Sequence, residues 1–401
     1  MKIYSRIKDS YENFIHNLNE PVKIFVCGPT LYDKVHLGHL KVIFFSDLIV
    51  RYLKFKGYKL EPILNLTDMD FKIIEKAKEE NSSVLEVVNK YYEEVKESFK
   101  KLKLSSDFIL VRPSEAIDKA IEITRELIEK RQAYFLEDGI FCDSSFSKNI
   151  GLLSKITKEE MREMILEPNI KKRNPTDFRI WIKIKDESFF YDTIFGKGFV
   201  GWHMQDYSVI EKYFNGTYDF HLGAKDLIYP HHEFILLLGE YYRGIYPIVK
   251  HFIHTGVITK NGEKMSKSLG NVIYLDKLLA NYDSDDLRIY IFSKKYSEDV
   301  EFKVEDLEEA KRIKELIKNL NFKKSNMRTD KINKEILNYY NDFISNLDND
   351  ISINESLKAW INLSYLLRDH ELDEEGIILA KNTYKTFSQI TGILLDRFSE
   401  E

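Results

Sequence analysis

One six-residue run near the start of the chain, Val22-Lys23-Ile24-Phe25-Val26-Cys27, limits the fold more than any other segment. It is apolar and β-branched and stops at Gly28-Pro29, the pattern of a buried strand feeding a loop. A segment with helical character follows from about Leu37 to Lys56 and ends at Gly57, a natural C-cap. Tyr58–Leu66 is strand-like again. Together these make a β-α-β unit of the size of a nucleotide-binding half-domain, so an α/β body with a Rossmann-like sheet is expected.

A chain of 401 residues is expected to hold two or three domains. The Rossmann-like domain is expected over 1–300, with an inserted connective segment at about 115–195. From Val304 apolar residues recur at three- and four-residue spacing, which predicts an all-α helical-bundle domain over 301–401. Hydrophobic residues make up 43% of the chain, enough for a sizeable core, and this excludes a disordered or collagen-like protein. No uncharged apolar run approaches the roughly 18 residues of a membrane span. Met1-Lys2-Ile3-Tyr4-Ser5-Arg6 lacks a hydrophobic signal core, and only two cysteines occur, Cys27 and Cys142. A reducing, cytoplasmic setting with no membrane contact is therefore expected. The net charge of −5 leaves a nucleic-acid partner only a local patch to bind.

Two constellations carry chemistry. The first, His36-Leu37-Gly38-His39, sits at the strand-loop-helix junction of the β-α-β unit. A helix N-terminus binds phosphate through unsatisfied N–H groups, the glycine lets a flat base approach, and the imidazoles can donate to phosphoryl oxygens. The second is Lys264-Met265-Ser266-Lys267-Ser268, between Asn261-Gly262 and Leu269-Gly270-Asn271. This reads as a mobile loop whose lysines can close over a triphosphate and neutralise a leaving pyrophosphate.

In this order the two motifs resemble the signatures of class I aminoacyl-tRNA synthetases. Their flanks resemble the cysteinyl-tRNA synthetase family: Cys27 to Asp33, Asn65 to Asp70, Asn174 to Phe178, Gly201-Trp202-His203-Met204, Pro230-His231-His232-Glu233 and Asp348 to Ser352. The resemblance implies ATP- and Mg²⁺-dependent activation of cysteine and its transfer to the 3′ end of tRNA, by a monomer that engages the acceptor and inner elbow. It places Gly28, Thr30, His36, Gly38, His39, Asp226, Lys264, Ser266 and Lys267 at ATP. His36, His39, Lys264 and Lys267 are the catalytic set, acting by positioning and charge stabilisation, with no nucleophile or general base. Cys27, Thr67, Trp202, Asp206 and His231 face the amino acid.

The sequence departs from this family in two places. The family's zinc site uses two cysteines, a histidine and a glutamate. Cys27 and His231 match two of them, whereas Asp206 replaces the second cysteine and Ile235 the glutamate. A closed four-ligand site is therefore impossible at these positions. Two readings stay open: Cys27, Asp206 and His231 hold zinc with the substrate sulfur as fourth ligand, or Cys27 packs as a small apolar side chain. His203, His232 and Glu233 are neighbours able in principle to substitute. Substoichiometric zinc and weak rejection of serine are expected. The second departure is length, since the chain ends about where the family's helical domain ends and no separate anticodon-binding domain is evident. A basic run, Lys311, Arg312, Lys314, Lys318, Lys323, Lys324, Arg328, Lys331 and Lys334, suits a tRNA backbone, or alternatively a solvated face. Three alternatives stand beside the synthetase: a tRNA-independent ligase joining cysteine to an amino-sugar, a non-catalytic paralogue, and activation of a different amino acid.

Overall fold

The computed structural model describes residues 1–164, 171–184, 191–265 and 269–398. Its first nucleotide-fold strand, β1 (Val22–Thr30), leads through α1 (Leu37–Phe55) to β2 (Leu60–Thr67) and then to β3 (Ile109–Val111). Later come α2 (Trp202–Phe214), β4 (Tyr218–Ala224), α3 (Glu233–Arg243) and β5 (Val249–Thr255). The five strands form one parallel sheet in the order β5-β4-β1-β2-β3. Such a sheet is covered on both faces, which explains why Val22, Ile24, Phe25 and Val26 are all apolar and all buried, with Lys23 the one charged residue among them. The chain winds outward from β1 in one direction and then, from β4, in the other. Ligands bind at this reversal, off the carboxyl ends of β1 and β4.

β1 does not stop at Gly28-Pro29 as its sequence predicts. It continues to Thr30 across a register shift between Cys27 and Thr30. A Cβ on Gly28 would stand 2.3 Å from the Asn65 carbonyl oxygen, so only glycine lets β1 lie this close to β2. Pro29 is tolerated because the ladder is already interrupted there.

Between β3 and α2 the chain forms a helix, Ile117–Glu129, and a five-stranded antiparallel sheet. The strands lie in the order Ala133–Leu136, Gly139–Cys142, Phe178–Lys183, Gly196–Val200 and Tyr191–Thr193. Beyond residue 303 the long elements are helices: Val304–Lys318, Asp330–Asp348, Ile353–Asp369 and Glu374–Thr391. One short exception interrupts the helical pattern, where Lys323–Lys324 pairs in parallel with Glu371–Leu372. No helix among the described residues is long and apolar enough to cross a membrane.

Two buried devices join the helical region to the α/β body. Arg288, fully buried, pairs with Asp47 at 2.7 Å and lies over the Phe44 ring. It also donates to the carbonyls of Leu102, Lys103 and Thr391. The Asp348–Asp350 turn accepts from Tyr52 Oη (2.8 Å), the Tyr4 N–H (2.9 Å) and Tyr296 Oη (3.1 Å). Lys314, counted above in the basic run, must be withdrawn from it. Its ammonium is buried and bridges Asp283 and Asp286 at 2.8 Å each, so it offers nothing to a phosphate. Lys311, Lys318, Lys323, Lys324, Lys331 and Lys334 remain exposed.

Candidate active site

A cleft of about 920 Å³ opens at the reversal point. Every described residue that the sequence assigns to the site lines it: Cys27, Gly28, Thr30, His36, Gly38, His39, Thr67, Trp202, Asp206, Asp226, His231 and Lys264. Ser266 and Lys267 lie outside the described residues.

One wall is the N-terminus of α1. His36 caps it, its Nδ1 accepting from the Gly38 N–H at 3.2 Å, while His39 Nδ1 accepts from the His36 N–H at 3.3 Å. With both Nδ1 atoms occupied as acceptors, the neutral tautomers carry hydrogen on Nε2 and both rings become donors. The rings stack at 3.6 Å. Burial, with the neighbouring His36 ring, holds His39 well below the usual histidine range, so His39 serves as a neutral donor. Gly38 has a local role beside base access, since a Cβ there would stand 3.0 Å from His36 Cε1. Across the cleft Lys264, on the short strand Glu263–Lys264, forms an ion pair with Asp226 just past the end of β4.

The floor is built by β1, β2, α2 and the turn before α3. Asp206 is its hub. Its Oδ1 accepts from Asn65 Nδ2 at 2.9 Å, and its Oδ2 accepts from His231 Nε2 at 3.0 Å and faces Cys27 Sγ at 3.5 Å. His231 Nδ1 meets His203 Nδ1 at 2.9 Å, and its ring stacks on Trp202 at 4.2 Å. Burial, reinforced by the Asp206 carboxylate, pushes the Cys27 thiol well above its ordinary range. Glu233 does not join this group, because its carboxylate accepts from the Gly151 and Ser154 N–H groups at 2.8 Å each.

Comparison with known proteins places this geometry. Residues 14–312 match the family model for the class I (C) tRNA synthetase catalytic domain. The chain is 32% identical to the cysteine–tRNA ligase of Thermococcus onnurineus, covering all of this chain and 88% of that one. It is 34% identical to the cysteine–tRNA ligase of Thermodesulfovibrio yellowstonii, covering 89% and 76%. The chain belongs to the cysteinyl-tRNA synthetase family. Its fold matches solved synthetases more widely. The methionyl-tRNA synthetase of Mycobacterium tuberculosis superposes with a TM-score of 0.68 at 12% identity, covering 93% of this chain and 92% of that one.

Within a cysteinyl-tRNA synthetase framework, the four-ligand zinc position implied by the resemblance fails a test of donor chemistry, although Cys27, Asp206 and His231 each keep a donor atom within 4.8 Å of the other two. Ile235, fully buried, puts a hydrocarbon where a carboxylate is required. Both Asp206 oxygens are already engaged by Asn65 and His231. No step of the reaction is routed through a metal there. Three residues in or behind the floor escaped sequence reasoning. Asn65 was visible only as part of a motif, yet it holds Asp206 while its own Oδ1 is buried without a partner. His221 on β4 and His254 on β5 looked like ordinary strand residues. His221 Nε2 lies 3.3 Å from Cys27 Sγ, and His254 Nε2 lies 2.8 Å from His232 Nδ1. Burial forces both below the usual histidine range, His254 to about 3.

Proposed function

We propose that this chain is a cysteine–tRNA ligase that activates cysteine with ATP and Mg²⁺ and passes it to the 3′ end of tRNA, working as a monomer. One observation carries the reading: a single cleft gathers the α1 terminus with its two histidines, Lys264, and a small floor formed by Cys27, Thr67, Trp202, Asp206 and His231.

In the first step a cysteine carboxylate oxygen attacks the α-phosphorus, the bond to the bridging oxygen breaks, and pyrophosphate leaves. Charge accumulates on the phosphoryl oxygens. The Nε2–H groups of His36 and His39, the positive end of the α1 dipole, and the ammonium groups of Lys264 and Lys267 stabilise it. Asp226 parks Lys264 at the cleft edge until a nucleotide competes for it. Gly28 and Thr30 shape the wall beside the nucleotide. In the second step a terminal tRNA hydroxyl attacks the activated carbonyl and AMP leaves. Residues 1–300 serve as the catalytic domain, and the helices of 301–401 present their exposed lysines to the tRNA.

The test is amino acid-dependent exchange of pyrophosphate into ATP, run separately with all twenty amino acids, followed by charging of tRNA. Exchange with cysteine and a charged tRNA are expected. Exchange with a different amino acid alone would rename the substrate, cysteine exchange without any charging would favour the amide ligase, and no exchange at all would favour the non-catalytic paralogue.

A further inference from the structure

Cys27 has a second set of neighbours. Its Sγ lies 3.3 Å from His221 Nε2 and 3.4 Å from His232 Nε2, on top of the 3.5 Å contact to Asp206. One S–H proton can serve only one of these three acceptors. We propose that Cys27 Sγ, His221 Nε2 and His232 Nε2 form a binding site for a thiophilic divalent cation, zinc foremost, displaced from the position that the family resemblance implies.

The three donor atoms lie within 4.8 Å of one another. Zinc bonds of about 2.3 Å to sulfur and 2.0–2.1 Å to nitrogen, opened to tetrahedral angles, set sulfur and nitrogen about 3.5 Å apart. The 3.3 and 3.4 Å separations are close to that edge. Each imidazole is also oriented as a ligand should be, with its far nitrogen fixed by a partner. Tyr218 Oη lies 2.7 Å from His221 Nδ1, and His254 Nε2 lies 2.8 Å from His232 Nδ1. Both rings are fully buried, so no water competes with a cation for their Nε2 atoms.

A glycine makes room for the second ligand. A Cβ on Gly223 would stand 2.7 Å from His232 Cε1 and 3.0 Å from its Nε2. By contrast, Asp206 and His231 already satisfy each other and their outer partners Asn65 and His203. On binding, Cys27 gives up its thiol proton to solvent and the cation takes its place. Neither His221 nor His232 lines the cleft, whereas Asp206 and His231 do. The cation would thus brace the floor from behind and leave the Asp206–His231 pair facing the substrate side chain.

The inference goes beyond the assigned reaction, and its test needs neither ATP, amino acid nor tRNA. Metal-free full-length protein is titrated with Co²⁺. One equivalent is expected, with a sulfur-to-cobalt charge-transfer band that Cys27→Ser removes. His221→Ala and His232→Ala should each weaken binding about 100-fold, whereas Asp206→Asn and His231→Ala should change it less than about threefold. Because buried variants can misfold, the unsubstituted chain loaded with zinc is also read by X-ray absorption. One sulfur and two imidazole nitrogens are expected. A shell with one imidazole and a carboxylate oxygen, loss of affinity in Asp206→Asn, or no metal uptake would each overturn the proposal.

Discussion

Asp206 illustrates how little room a single atom has in the floor. Its two oxygens accept from Asn65 and His231, two donors on different elements. In Asp206→Asn the amide oxygen can serve one of them, and the amide N–H₂ is driven against the other. Leaving a buried donor unpaired costs about 1–3 kcal/mol. The KM for the activated amino acid should therefore rise about tenfold while that for ATP stays near its original value, as read by steady-state pyrophosphate exchange. An unchanged amino-acid KM would remove Asp206 from the substrate pocket. Residues of this kind were legible in the sequence when they belonged to a dense motif, as His36, Gly38, His39 and Lys264 did. Asn65, His221 and His254 were not legible as parts of one site. A lone histidine on a strand carries no local mark, and only the parallel pairing of β4 with β1 brings His221 to Cys27.

Element by element, apolar runs and breakers located the helix and strands of the first half-unit, because burial on both sheet faces leaves an unambiguous run. The failure at Gly28-Pro29 has a physical reason. Glycine and proline usually end a strand, but here the glycine permits close packing that no local rule contains. α1 holds a second feature invisible to patterning. Lys41, between Leu40 and Val42, is buried and donates to the Glu298 carbonyl. Burial lowers its pKa to about 8, with Asp299 and Glu298 opposing that shift. The unfolded value is about 10.4. Between these values the unfolded chain carries more protons than the folded one, so this lysine makes stability rise with pH, by about 1.4 kcal/mol per unit. It loses that contribution as pH falls through 8. Denaturant titrations at pH 8 and pH 9.5 should show the rise in the unsubstituted protein and a much flatter response in Lys41→Met. Equal slopes would mean that Lys41 reaches water.

For the whole molecule, the join between the α/β body and the helices is the decisive feature. Arg288→Leu would strip Asp47 of its fully buried partner and leave the Thr391 carbonyl without a donor, while Ser284 and Arg51 still serve the Leu102 and Lys103 carbonyls. A loss of about 3–5 kcal/mol is expected from calorimetry or denaturation, and Arg288→Lys should restore little, because one ammonium cannot span those acceptors. Binding of tRNA should weaken steeply with salt. Lys323→Glu combined with Lys324→Glu should flatten the log–log slope by about two if each lysine meets one phosphate. An unaltered slope would move the RNA face elsewhere. The same arginine also bears on synthesis. Thr391 follows Arg288 by 103 residues. At about 5–20 residues per second the ribosome needs roughly 5–20 s to cover that distance. Throughout that interval the nascent chain carries a guanidinium for which one carbonyl has not yet been made. Asp47 and the Leu102 and Lys103 carbonyls can hold Arg288 meanwhile, but only the final long helix brings its last acceptor.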